Sequence, residues 1–167
     1  MARPTDITSP VISPARRFPW AILAMAALSQ GALAVPNQGI PPLAPFFQEE
    51  MGLSRAQVGL VITSIMLGQF LFALVSGWLT DVLGVRRTLA LGCVVTGVGL
   101  LPLAFSGTYG HLLLLAFLAS VGSGLGNPAT SKAVVDWFPA RTRATAMGVK
   151  QTGVPVVGAL FAATLPA

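Results

Sequence analysis

The sequence predicts an all-α fold: a polytopic membrane bundle of five transmembrane helices with its amino terminus in the cytoplasm. Three observations predict it. Of the 167 residues, 54% are hydrophobic and only 9% are charged, with mean hydropathy +0.77, whereas a soluble domain carries about a quarter charged residues. The apolar residues gather into five runs, each near the roughly 20 residues that a helix needs to cross the hydrocarbon core. The basic residues fall in alternate connections, as a membrane topology signal does.

Residues 1–18 read as a disordered basic tail carrying Arg3, Arg16 and Arg17. The transmembrane bundle occupies 19–167, with spans expected at about 19–45, 56–80, 88–106, 111–135 and 144–166. Helices are the form these runs must take, because in lipid every backbone N–H and C=O is satisfied internally and the runs lack the alternation of barrel strands. Ser54-Arg55-Ala56-Gln57 matches a capping box at the start of the second span. The stretch from Ala15 to Ala34 imitates a secretory signal, with a basic start and an Ala-x-Ala end. Apolar character continues past it through Ile40, Leu43, Phe46 and Phe47, so it is read as part of the first span.

Orientation follows from the connections. The tail has its three arginines, the second-to-third connection has Arg86 and Arg87, and the fourth-to-fifth has Lys132, Arg141 and Arg143. The alternate connections hold Arg55, beside Glu49 and Glu50, and the neutral stretch 106–111. Lys and Arg accumulate on the cytoplasmic side, which places the chain as a multi-pass protein of the cell (inner) membrane. The net charge of +5 is therefore a topology signal. With no basic helix or aromatic–basic interleaving, no nucleic-acid partner is expected; the lipid bilayer is. Cys93 is the sole cysteine and sits in an apolar run as a small hydrophobe. No metal-ligand cluster, nucleophile elbow or phosphate loop is present, and the one histidine, His111, lies near an outer edge. Neither an enzyme activity nor a cofactor or metal is expected.

Polar residues within the spans are the candidate site. Gln30 and Asn37 lie about two turns apart on one face of the first span, among prolines at 36, 41, 42 and 45. In the fourth span Ser123, Asn127 and Ser131 recur every fourth residue, beside a Gly122/Gly126 small-xxx-small pair and Pro128. Two readings are open for these groups: the wall of a substrate cavity, or hydrogen bonds between helices. The third span offers only Cys93 and Thr96, which places it on the lipid side. Lys150 and Gln151 lie about two turns inside the fifth span. A lysine there either faces a cavity, favouring an anionic or strongly polar solute, or snorkels to the cytoplasmic interface. No Asp or Glu occupies the middle of any span.

The stretch Gly77-Trp-Leu-Thr-Asp81-Val-Leu-Gly84-Val-Arg86-Arg87 closes the second span. Arginines alone would serve topology; the glycines and aspartate at this spacing ask for more. Gly77 is read as allowing helices to approach, Asp81 as lying at the helix end, and Gly84 as permitting a tight turn. This stretch resembles the loop 2–3 signature of the major facilitator superfamily of secondary transporters, G-x-x-x-D-R-x-G-R-R. Gly77, Asp81, Gly84, Arg86 and Arg87 match; Val82 and Val85 stand where the signature is usually basic. Asp136-Trp-Phe-Pro-Ala-Arg-Thr-Arg-Ala-Thr-Ala-Met-Gly148 is similar to the family's connection from helix four to five. The stretch from Pro42 to Leu60 is similar to its passage from helix one to two. The order covers nearly the whole chain. Gly148, Gly153, Pro155 and Gly158 depart from the family's antiporter motif.

The resemblance implies the amino-terminal part of a twelve-helix protein, about helices one to five, whose halves rock around a central site to give alternating access. It implies a cavity lined by helices one, two, four and five, and a cytoplasmic ion-pair cluster of Asp81, Arg87 and Asp136. The expected function is secondary active transport of a small solute, with a coupling ion, proton or sodium, and with the missing carboxy-terminal half as partner. The competing expectation is a truncated, non-transporting membrane protein or an assembly subunit.

Overall fold

The structure, a computed structural model, describes residues 19–164. The basic tail and the last residues of the fifth span lie outside them. The described residues are helical, without a strand, and five stretches are long and apolar enough to cross a membrane.

Prolines and glycines decide where the helices stop. Helix α1 (Pro19–Gly39) ends ahead of Pro41 and Pro42. Neither proline has an N–H to donate to the carbonyls of Asn37 and Gln38, so the chain tightens into a 3-10 turn in which Leu43 N–H donates to Ile40 O at 3.0 Å. It resumes as α2 (Ala44–Met51), and the first span thereby extends from Trp20 to Met51, beyond the 19–45 expected. Gly52, at φ +62°, ends α2. Helix α3 (Arg55–Leu83) starts on the expected capping box: Gln57 N–H donates to Ser54 Oγ, and Ser54 N–H donates to Gln57 Oε1.

Gly84 alone separates α3 from α4 (Val85–Leu100). Its φ of +80° is one that favours glycine, which accounts for the glycine of the Gly77–Arg87 stretch. Helix α4 passes through a 3-10 turn, Leu101–Phe105, towards α5 (Tyr109–Trp137). Pro128 sits inside α5 without interrupting it. The fifth span is broken instead. Pro155 has no N–H for the carbonyl of Gln151, Thr152 N–H donates to Val149 O at 3.1 Å, and α6 (Ala140–Gln151) gives way to α7 (Gly153–Thr164).

Helix α5 is the most buried of the spanning helices, and its small residues set the packing. A methyl at Gly124 would meet Gln69 O of α3 at 2.6 Å, and Ser76 Oγ of α3 donates to Leu125 O at 2.8 Å. On another side a methyl at Gly122 would meet Gly92 O of α4 at 2.3 Å, and Thr96 Oγ1 donates to Ala119 O at 3.1 Å. On a third, Gly126 abuts Leu33 of α1, and Ser123 Oγ donates to Leu33 O. Gly122 and Gly126 thus serve two neighbours, because four residues advance slightly more than one turn. Helix α4 gives Thr88, Gly92, Thr96 and Gly99 to the interior and turns Leu91, Val94 and Val98 outward, as expected for a lipid-facing helix. Outward-facing Met66, Phe70, Leu74 and Trp78 do the same on α3.

Substitution of Gly122 by Ala pushes a methyl into backbone that cannot yield locally, and is expected to destabilise the bundle by about 1–3 kcal/mol. Gly97→Ala on α4, where a methyl meets nothing within 4 Å, is expected to be neutral or stabilising by up to about 1 kcal/mol. Thermal unfolding of the detergent-solubilised protein, followed by tryptophan fluorescence, checks both.

Candidate functional site: a polar cavity between α1, α3, α5 and the fifth span

Where α1, α3 and α5 meet the break in the fifth span, a cavity of about 160 Å³ opens. Its polar wall is made by Gln30 and Asn37 of α1, Gln69 of α3, Ser123 and Asn127 of α5, and Gln151 of α6. Leu33, Ala34 and Val154 supply the apolar remainder. Five of these polar groups are expected from the sequence. Gln69 is not among the expected residues, yet a signal existed: it is the amide at the midpoint of the 29-residue α3, where a polar side chain is costly unless it has work to do.

The helices hold these groups by hydrogen bonds to one another. Ser123 Oγ donates to Leu33 O at 2.5 Å. Thr130 Oγ1, not among the expected residues, lies 2.8 Å from Gln30 Oε1. The two open readings of the polar residues therefore describe one arrangement, since Gln30 and Ser123 both tie α1 to α5 and line the cavity.

Lys150 and Ser131 sit beside the cavity and reach it through Asn127. Lys150 Nζ donates to Asn127 Oδ1 and to Ser131 Oγ, each at 2.9 Å. Lys150 is only 2% exposed, so its stem does not carry the ammonium outward to an interface. No carboxylate of the described residues lies within 4.0 Å of it. A charge so placed, held by two neutral oxygens, is an uncommon arrangement in an apolar bundle.

At the carboxy-terminal end of α3, about three turns beyond Gln69, stands a separate charged cluster. The Asp81 carboxylate pairs with Lys132 Nζ of α5. Arg86 and Arg87 are exposed in the first turn of α4, and Asp136 is exposed one turn beyond Lys132 on α5. Among the described residues, Asp81 is joined to Lys132 and not to Arg87 or Asp136, because Lys132 lies on α5, packed directly against α3. Gly77 abuts no helix here: a methyl on it would meet nothing within 4 Å. Its close-approach role finds no neighbour among the described residues. Arg143 closes the following turn, donating from Nε to Phe138 O at 2.9 Å and from a terminal nitrogen to Val135 O at 3.0 Å.

A model of the Major Facilitator Superfamily matches residues 19–167. The chain belongs to the Major Facilitator Superfamily. The hexuronate transporter of Bacillus subtilis is 34% identical over 119 residues, covering 70% of this chain and 28% of that protein. The probable sulfoacetate transporter SauU of Cupriavidus necator is 29% identical over 117 residues, 70% of this chain and 27% of that protein. The 4-hydroxybenzoate transporter PcaK of Acinetobacter baylyi is 28% identical over 131 residues, 78% of this chain and 29% of that protein. The chain thus spans less than a third of the length of these relatives. As a member of the superfamily with five apolar spans, it is a multi-pass membrane protein.

A cavity that admits water makes its lining reactive from the aqueous phase. In a Cys93→Ala background, Asn37→Cys and Gln69→Cys are expected to react with a membrane-impermeant methanethiosulfonate reagent. Leu74→Cys, on the outward face of α3, is expected to remain unmodified in liposomes. Mass spectrometry of the intact protein reads the outcome.

Proposed function

We propose that the chain is the amino-terminal part of a secondary transporter that moves a small anionic solute across the cell membrane by alternating access. The observation that carries this reading is the polar cavity between α1, α3, α5 and the fifth span, with a buried lysine beside it that no carboxylate of the described residues pairs. A structural scaffold has no use for six convergent polar side chains around an open space; a carrier does. The relatives add support, since transporters named for hexuronate, sulfoacetate and 4-hydroxybenzoate all handle organic acids.

In this reading the missing half of the transporter supplies the facing wall, and the two halves rock about the solute. A proton or sodium gradient drives the cycle. The Gly77–Arg87 stretch and Asp136 act at the cytoplasmic end as the conformational latch, with the Asp81–Lys132 pair as the contact that orders the end of α3 against α5. Uptake of radiolabelled hexuronate, sulfoacetate and 4-hydroxybenzoate by the complete protein in proteoliposomes, with and without an imposed pH or sodium gradient, tests the reading. Gradient-dependent accumulation of an acid is expected; absence of accumulation of any solute under every gradient sinks it.

The latch has its own signature. Asp81→Asn is expected to lower the initial uptake rate by about two- to fivefold, the range open to a largely exposed pair, with membrane insertion unchanged. Exchange of the two charges, Asp81→Lys with Lys132→Asp, is expected to recover part of the rate. Uptake by the Asp81→Asn protein equal to the unmodified rate removes the latch role.

A further inference from the structure

The orientation of one amide in the cavity is settled by chemistry alone. An ammonium group carries three N–H donors and no acceptor. The Asn127 atom that faces Lys150 Nζ at 2.9 Å is therefore the carbonyl oxygen, and the Asn127 NH2 group is turned away from the lysine. Asn127 is exposed within an otherwise buried stretch of α5 and lines the cavity, so its two N–H donors are presented to whatever enters. Gln30 is not fixed in this way, since its neighbour Thr130 has a hydroxyl that both donates and accepts.

We infer that Asn127 is the anion-recognition group of the cavity: its NH2 donates to a carboxylate or sulfonate oxygen of the solute, while Lys150 locks the amide in that orientation and supplies positive charge from behind it. The inference rests on the transport reading for the identity of its ligand, but its own content is binding. Lys150 acts as a positioning residue, since it is buried behind Asn127 and Ser131 and does not itself line the cavity. Its charge is uncompensated among the described residues: Asp81 is engaged by Lys132, and Glu49, Glu50 and Asp136 form no ion pair with it. An apolar bundle tolerates such a charge best when an opposite one periodically arrives, and an anionic solute within reach of the Asn127 amide is such a charge. A neutral solute leaves the lysine uncompensated, so discrimination between an acid and its uncharged analogue comes from the same pair of residues.

The test is binding by the complete transporter in detergent, measured by isothermal titration with D-glucuronate, sulfoacetate and 4-hydroxybenzoate, and with D-glucose as an uncharged counterpart of the first. The unmodified protein is expected to bind at least one of the acids, and to prefer glucuronate over glucose where glucuronate is that acid. Asn127→Asp separates recognition from structure. It puts a carboxylate against Lys150, which preserves or raises thermal stability, yet it replaces the NH2 donors with an anionic oxygen. Affinity for the acid is expected to fall by at least about tenfold, as loss of hydrogen bonds to a charged group implies. Lys150→Gln is expected to weaken binding of the acid by a larger factor than binding of glucose, and Lys150→Arg to restore part of the acid affinity. Undiminished acid binding by a stably folded Asn127→Asp protein overturns the inference, as does failure of the unmodified protein to bind any of the acids. An unmodified protein that binds an acid through Asn127 but accumulates nothing under any gradient leaves the inference standing and removes the transport reading.

Discussion

Close approach along α5 is the constraint on which the remainder depends. Inside a membrane the lipid tails are as apolar as leucine, so helices gain little by hiding hydrophobic side chains from one another. What joins them is contact at short range and hydrogen bonding across the seam. Helix α5 answers on three sides, with Gly124 and Leu125 O against α3, Gly122 and Ala119 O against α4, and Gly126 and Ser123 against α1. Large side chains at those positions would separate the helices, and the carbonyls of α1 and α5 that accept serine and threonine hydroxyls would lose their cross-links. The cavity exists because α1 and α3 are drawn onto the same central helix while the fifth span, broken at Thr152, leaves space between them.

Much of this was legible from residues alone. Long apolar runs and alternate basic connections gave the five spans and the class of fold, since bilayer thickness and charge placement act directly on sequence. The capping box before α3 and the turn at Gly84 are local, and local signals are read reliably. Prolines announced that the first and fifth spans are irregular, but not how: Pro128 is absorbed within α5 whereas the fifth span breaks ahead of Pro155. The Ser123–Asn127–Ser131 stripe was visible as a periodicity, and it belongs to the cavity region.

The less legible parts involve partners distant in the chain. Gln69 shares its face of α3 with Ser76, seven residues on, but that serine is spent on Leu125 O of α5, so the pair does not mark the cavity and Gln69 stands out by its depth. Asp81 is joined to Lys132, 51 residues away, and no spacing rule selects that lysine over the adjacent arginines; the packing of α3 against α5 selects it. Lys150 posed a sharper problem, because a long flexible stem two turns from an interface reaches either water or the interior. The presence of Asn127 Oδ1 and Ser131 Oγ on the facing helix decides the matter, and facing helices are a property of the fold.

The discontinuity at Thr152 divides the fifth span into two pieces that are held in different ways. Below it, α6 is hydrogen-bonded to α5 through Lys150 and packs on α1 as well, with Ala146 in one buried apolar cluster with Leu23. Above it, α7 rests backbone to backbone on α1, where a methyl at Gly153 would meet Ala27 O at 2.2 Å. The joint at Thr152 adjoins the cavity, so the two pieces of the fifth span each give it one lining residue, Gln151 from α6 and Val154 from α7.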